Sequence, residues 1–285
     1  MNKYKKNYKL SDETKTTPQG TVLHRVVATK TFTLANGLTI NAGDNGGWIE
    51  KESNLSGNAW VSDNAMVYGD AQVTSNAWVS GNAQISDNAQ VTGYAWVSGN
   101  AHVSDNAQVS GVASLVTGDA RVGGNVKIDG ARVSGNAEVS GDAEVSDNAQ
   151  VTGYAQVLGK VKVCDLAMIC DHAMVFGEAK ISGNALVNGG AQVYDHAQVS
   201  GNAWVSGNSR VSDNARVSGH TWIHGDAKVS GNAQISGKVN VSGDIQIADD
   251  AKIMNMRDYM VFKNNCSNAL YDGLNDLSSQ DDIQI

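Results

Sequence analysis

The chain has 285 residues, a formal net charge of −8, 31 glycines and a single proline. An acidic chain has little non-specific attraction for nucleic-acid phosphates, so a nucleic-acid-binding role is not expected. Three cysteines do not make a disulfide-rich scaffold, and they indicate a reducing compartment.

Residues 1–54 lack any regular repeat. The basic residues 1–6 are not followed by an apolar stretch, so we expect no signal peptide and no membrane-spanning segment. Short hydrophobic runs at 21–28, 37–40 and 46–50, separated by Asn-Gly and Gly-Gly, predict short β-strands joined by turns. We interpret this segment as a small N-terminal β cap.

Residues 55–253 repeat every six residues. A large aliphatic residue recurs from Leu55 to Ile253, usually followed by Ser-Gly-Asn or Ser-Asp-Asn, then alanine and a variable residue. A six-residue period does not fit a helix. In a short Ala-Xaa-Val strand, alanine and valine point to one side and the variable residue points to the other. The repeat therefore predicts a solenoid of parallel short strands in which each rung covers the next.

The tryptophans indicate how many hexads make one coil. Trp60, Trp78 and Trp96 are eighteen residues apart, and Trp204 and Trp222 keep the same phase. Three hexads per coil give a triangular solenoid of about eleven coils. Near Leu115 the repeat gains one residue, and it loses one before Val133. We expect a local bulge there, after which the register is restored.

Residues 254–285 lose the repeat and end in a polar tail. An uncovered solenoid end exposes strand edges, so a cap is expected. We interpret residues 257–262 as a last strand over the final coil.

Typical copies such as Val61-Ser62-Asp63-Asn64-Ala65-Met66 resemble the hexapeptide of left-handed parallel β-helices. The resemblance implies an all-β, left-handed parallel β-helix with an N-terminal β cap and a C-terminal cap. Residues 43–50 and 258–264 also resemble blocks that flank the repeats in uncharacterised bacteriophage and prophage proteins, some of which carry a transferase label. The C-terminal tail of this chain is shorter than the tail of those proteins. This narrower resemblance implies a location in the host cytoplasm or the virion.

Enzymatic activity is one hypothesis for the fold. Many left-handed β-helix proteins are trimeric acyltransferases that use acyl-CoA or acyl-carrier protein with a histidine base, and acyl-CoA is the only cofactor implied. His220 and His224 are the best candidates because they flank Trp222, but no extruded loop or carboxylate partner accompanies them. No metal site is expected, because Cys164, Cys170 and His172 diverge around a triangular coil.

A binding role is the hypothesis that the sequence favours. One outward column is selectively aromatic and apolar, and Ser114, Arg132, Gln150 and finally Asn240 complete it. Its candidate binding residues are Trp60, Trp78, Trp96, Met168, Leu186, Trp204 and Trp222.

Exposed apolar surface commonly marks an interface. This column predicts a non-enzymatic protein that binds a protein partner, a glycan or another copy of itself, with a homotrimer as one option. A phage decoy that sequesters a host factor is a further alternative. Two structural alternatives remain: a terminal segment covers the tryptophans, or they only stack on one another.

Overall fold

The structure is a computed structural model that describes residues 6–34 and 36–265. Three long sheets run along a solenoid, and we call them Sheet 1, Sheet 2 and the Trp sheet. Sheet 1 contains Tyr8–Thr16, Val22–Ala28, Asn45–Ile49, Met66–Val67, Gln84–Ile85, His102–Val103, Arg121–Val122, Glu138–Gly141, Gln156–Gly159, Met174–Gly177, Gln192–Val193, Arg210–Val211, Lys228–Val229 and Gln246–Ile247.

The other two long sheets have eleven strands each. Sheet 2 contains Gln72–Val73, Gln90–Val91, Gln108–Ser110, Lys127–Asp129, Glu144–Ser146, Lys162–Val163, Lys180–Ile181, Gln198–Val199, Arg216–Val217, Gln234–Ile235 and Lys252–Ile253. The Trp sheet contains Trp60–Val61, Trp78–Val79, Trp96–Val97, Leu115–Val116, Arg132–Val133, Gln150–Val151, Met168–Ile169, Leu186–Val187, Trp204–Val205, Trp222–Ile223 and Asn240–Val241. A hairpin of Phe32–Thr33 and Thr39–Ile40, a 3₁₀ turn at Glu52–Asn54 and a helix at 256–265 complete the described elements.

Pairing between rungs confirms the eighteen-residue coil. Trp60 lies beside Trp78 and Val61 beside Val79, in parallel register. The alanine and aliphatic positions are almost fully buried along the solenoid, and they form one continuous core. Full burial of each aliphatic side chain contributes about 1.5–3 kcal/mol. The prediction of an all-β solenoid with about eleven coils is therefore confirmed.

The corners explain the alternation of glycine and aspartate at the third hexad position. Both residue types adopt the left-handed conformation there, as in Gly81 (φ 67°) and Asp63 (φ 59°). The Asp63 side chain also accepts a hydrogen bond from the N–H of Gly81, one coil on, at 2.9 Å. The asparagine that follows forms a ladder, because Asn64 donates to Asn82, which donates to Asn100.

The irregular coil is confirmed as a local feature. Trp96 pairs with Leu115, and Leu115 pairs with Arg132, so the ladder continues without a break. The extra residue is accommodated in the preceding corner, where Val112 is 74% exposed. Leu115 therefore occupies the outward position that the sequence analysis gave to Ser114. Ser114 is instead buried, and it hydrogen-bonds to the carbonyl of Ser110.

The N-terminal segment contains the expected short strands, but Gly46 and Gly47 do not form a turn. They lie inside Asn45–Ile49, whose residues Trp48 and Ile49 pair in parallel with Met66–Val67 and so begin the parallel part of Sheet 1. The close approach of the backbones requires glycine here. A Cβ on Gly46 would lie 2.6 Å from the carbonyl oxygen of Val61, and one on Gly47 would lie 2.7 Å from that of Ala65.

The expected last strand at 257–262 is wrong, because these residues belong to the helix at 256–265. The Asn255 side chain accepts a hydrogen bond from the N–H of Asp258 at 3.0 Å, which is a typical helix N-cap. The Asp258 carboxylate in turn accepts from the N–H of Met254 at 2.9 Å. Tyr259 and Phe262, one turn apart, pack against the end of the core. No helix within residues 6–34 and 36–265 has the length and apolar character needed to cross a bilayer.

Candidate binding face

The outward residues of the Trp sheet form a single line, which we call the Trp column: Trp60, Trp78, Trp96, Leu115, Arg132, Gln150, Met168, Leu186, Trp204, Trp222 and Asn240. Parallel in-register pairing places each residue directly beside the next along the solenoid. Trp96 is 40% exposed, Trp204 38% and Trp222 37%, whereas Trp78, Met168 and Leu186 are half-buried.

Two pairs of indoles are stacked. The ring centroids of Trp78 and Trp96 lie 4.8 Å apart with planes within 10°. Those of Trp204 and Trp222 lie 4.7 Å apart with planes within 7°. Nearly parallel aromatic rings at such distances attract each other. Stacking along the column therefore occurs, but it leaves more than a third of the Trp96, Trp204 and Trp222 surfaces open to solvent.

Hydrogen bonds from each indole N–H fix the ring orientations. Trp78 donates to the Ser62 hydroxyl and Trp96 to the Ser80 hydroxyl, both at 3.0 Å. Trp222 donates to the Ser206 hydroxyl at 3.1 Å, and Trp204 to the Asn188 amide oxygen at 2.7 Å. Since these side chains are already ordered, a partner that contacts them meets a small further entropy cost.

Trp60 was expected to belong to the exposed face, and the structure corrects this. It is 1% exposed, and Phe32 of the N-terminal hairpin packs edge-on against it with ring centroids 5.6 Å apart. The strand containing Gly46 also lies against its ring. The alternative that a terminal segment covers the tryptophans therefore holds for Trp60, whereas Trp96, Trp204 and Trp222 stay exposed.

A hollow of about 280 Å³ lies over the N-terminal half of the Trp column. Trp78 and Trp96 line it, together with Leu34 and Asn36 from the hairpin and Ser114 from the irregular coil. The hairpin residues were not among the predicted binding residues. Their contribution depends on where the hairpin of Phe32–Thr33 and Thr39–Ile40 folds back, which hexad spacing does not specify.

The strand between them separates the two candidate bases, His220 and His224. They lie at opposite ends of the strand Trp222–Ile223, one before it and one after it. The His220 ring nitrogen lies 3.3 Å from the Asn202 amide nitrogen, and that of His224 lies 2.8 Å from the Asn240 amide oxygen. The His224 ring also packs on Trp222, with centroids 4.3 Å apart. An amide thus contacts each imidazole, and an indole also packs against that of His224.

One group of potential metal ligands, Asp147, Cys164 and Asp165, lies on a corner of the solenoid. Its carboxylates are engaged with backbone, because Asp147 accepts from the N–H of Asp165 at 3.3 Å and Asp165 accepts from that of Gly183 at 2.8 Å. The group thus follows from the corner stacking. Burial, with a smaller contribution from Asp165, raises the pKa of the Cys164 thiol, which works against the thiolate that metals bind.

A family model described as a YdcK beta solenoid repeat matches five stretches of the chain, at residues 59–75, 83–99, 179–195, 197–212 and 209–225. These stretches cover less than half of the chain, and they support a β-solenoid repeat protein. No curated protein matches the chain.

Proposed function

We propose that this chain is a non-enzymatic β-solenoid that binds another macromolecule through the Trp column. One observation carries the proposal: Trp96, Trp204 and Trp222 are ordered by stacking and by N–H hydrogen bonds, yet each exposes more than a third of its surface. Large apolar side chains clustered on a surface commonly mark an interface, and tryptophan is enriched at its energetic centre.

The surrounding charges support the same surface. Arg132 is the single charged residue of the Trp column, whereas the outward positions of Sheet 2 carry Lys127, Glu144, Lys162 and further charges. Interface centres are depleted in charged residues, because a charge that loses water without a partner is costly. The Trp sheet is therefore better suited than Sheet 2 to close contact with a partner.

We further propose a phage or prophage origin, with the protein acting in the host cytoplasm or the virion. The support is the resemblance of residues 43–50 and 258–264 to the blocks that flank the repeats in phage hexapeptide-repeat proteins. A test is co-purification: the protein is expected in purified virions, or in the cytoplasm of infected cells, when followed with an antibody.

Site-specific photo-crosslinking tests the binding role. A benzophenone amino acid replaces Trp204, or replaces Gln198 of Sheet 2 in the matched control, and the full-length protein is irradiated in its own cell lysate. We expect covalent adducts from position 204 and not from position 198, whether the adduct is another molecule or a second copy. Equal labelling from both positions, or none from position 204, would show that the proposal is wrong.

A further inference from the structure

The order of side chains along the Trp column is nearly symmetric about Gln150. From Trp78 to Trp222 the column reads Trp, Trp, Leu, Arg, Gln, Met, Leu, Trp, Trp. Rungs equally distant from Gln150 carry identical residues in three pairs: Trp78 with Trp222, Trp96 with Trp204, and Leu115 with Leu186. A random order of all eleven side chains of the Trp column gives three such pairs only about once in 50, and self-complementarity of this kind is what a two-fold interface requires.

We propose that the Trp column is the interface of an antiparallel homodimer, an inference that rests on the proposed binding role of this face. The two-fold axis lies between the two facing Trp sheets, at right angles to the solenoids and level with Gln150. In a two-fold interface, each contact between two positions occurs twice with the copies exchanged. Trp78 of one copy then faces Trp222 of the other, and Trp96 faces Trp204.

The shape of the face supports this arrangement. Its N-terminal half is a hollow of about 280 Å³ between Leu34 of the hairpin and Ser114 of the irregular coil. Its C-terminal half presents Trp204 and Trp222, which are 38% and 37% exposed. The two-fold rotation places Trp204 and Trp222 of each copy against the hollow of the other copy. Aromatic anchors that enter pockets are the usual energetic centres of interfaces.

The charges and the end of the column are compatible with the same axis. Arg132 faces Met168, so its aliphatic stem packs on the thioether while the guanidinium reaches the rim. A two-fold axis at the middle strand of Sheet 2 would instead place Lys162 against its own copy. The hairpin that covers Trp60 is faced by Asn240, whose short side chain leaves room for it.

The size of the face meets the requirement for a specific but reversible dimer. Nine rungs at a spacing of about 4.8 Å span about 38 Å, and five residues across each rung span about 13 Å. The strip covers about 500 Å² on each copy, or about 1,000 Å² in total, which is the lower bound for a specific interface.

Sedimentation of the full chain at micromolar concentrations tests the dimer. The wild type is expected as a dimer, and Trp204→Ser/Trp222→Ser is expected to raise the dissociation constant at least about 100-fold, because the two-fold removes four indoles at once. The control Gln198→Ser/Arg216→Ser changes the same coils on Sheet 2 and is expected to stay dimeric. Both variants are expected to fold, because all four replaced side chains point outward. Circular dichroism verifies this.

Chemical crosslinking tests the orientation. In a chain with its three cysteines replaced by serine, Gln150→Cys is expected to link to itself through a short bismaleimide, and Glu144→Cys of Sheet 2 is not. Leu186→Cys alone is expected to give no product, because the axis separates the two copies of this rung by about 19 Å along the solenoid. Mixed with Leu115→Cys, it is expected to link.

Four outcomes would overturn the dimer: a monomeric wild type, a trimer, a dimer that persists in the tryptophan variant, or self-linking of Leu186→Cys, which indicates parallel copies. The proposed binding role is tested independently of the homodimer. A monomeric wild type that still forms adducts with another molecule from position 204 keeps the binding role and excludes the homodimer.

Discussion

Replacing Asp213 by alanine is expected to destabilise the chain more than replacing it by glycine. Asp213 lies on a corner with φ 56°, and its carboxylate accepts a hydrogen bond from the N–H of Gly231 at 2.8 Å. A net hydrogen bond contributes about 0.5–1.5 kcal/mol. The left-handed conformation costs an ordinary L-residue about 1–2 kcal/mol, and aspartate tolerates it better than most.

Alanine loses the hydrogen bond and tolerates this conformation less well than aspartate does, so Asp213→Ala is expected to cost about 1–2 kcal/mol. Glycine also loses the hydrogen bond, but it removes the strain while adding about 0.4–1 kcal/mol of unfolded-state entropy. Asp213→Gly is therefore expected within about 1 kcal/mol of the wild type. This near-equivalence would explain why the third hexad position alternates between the two residues.

Equilibrium unfolding in guanidinium chloride, followed by circular dichroism, measures the difference, and amide exchange of Gly231 reports on the corner itself. Because a solenoid can unfold in parts, a second probe must give the same transition before free energies are compared. An alanine variant as stable as the wild type, or a glycine variant less stable than the alanine variant, would refute the reasoning.

Three further outcomes are expected. Gly46→Ala should detach the strand that covers Trp60, because the new Cβ would lie 2.6 Å from a carbonyl oxygen. Acrylamide quenching of tryptophan fluorescence should then increase, and unchanged quenching would contradict this. Ile169→Ala, which empties a fully buried site, should cost about 2–5 kcal/mol in chemical unfolding, whereas Met168→Ala on the outward side of the same strand should cost clearly less. Burial raises the pKa of the Cys170 thiol. Cys170 should therefore react with iodoacetamide more slowly than a free thiol at pH 8 and should gain reactivity only at higher pH. A rate equal to that of free cysteine would contradict the burial argument.

The hexad predicts the core and the coil because its physical cause is local. Alanine and valine must point inward from a short strand, and every coil imposes the same constraint, so the spacing of Trp60, Trp78 and Trp96 was enough to give the period. Outside the solenoid there is no repeat, so no comparable local constraint predicts the structure. Residues 257–262 were expected as a strand because the open end of the solenoid needs a cap, but the cap from Asn255 starts a helix there.

The candidate site was predictable as a column but not in its detail. The exposure of each tryptophan depends on non-repeating segments, and Trp60 is buried because Phe32 and the strand with Gly46 lie against it. The place of Leu115 depends on where one extra residue is accommodated. Counting in sixes assigns that residue to the strand, whereas the chain extrudes it at the corner.

Pairing at a separation of about eighteen residues also bears on how the chain folds. Parallel strands usually join only after a long crossover, and the closure of that loop makes their folding slow. Here each new rung closes one short loop onto a rung already formed, and the entropy of that closure is nearly the same for every coil. The solenoid is therefore expected to grow like a zipper from any formed pair of coils, so that adding whole coils would lengthen the rod with little penalty in folding rate.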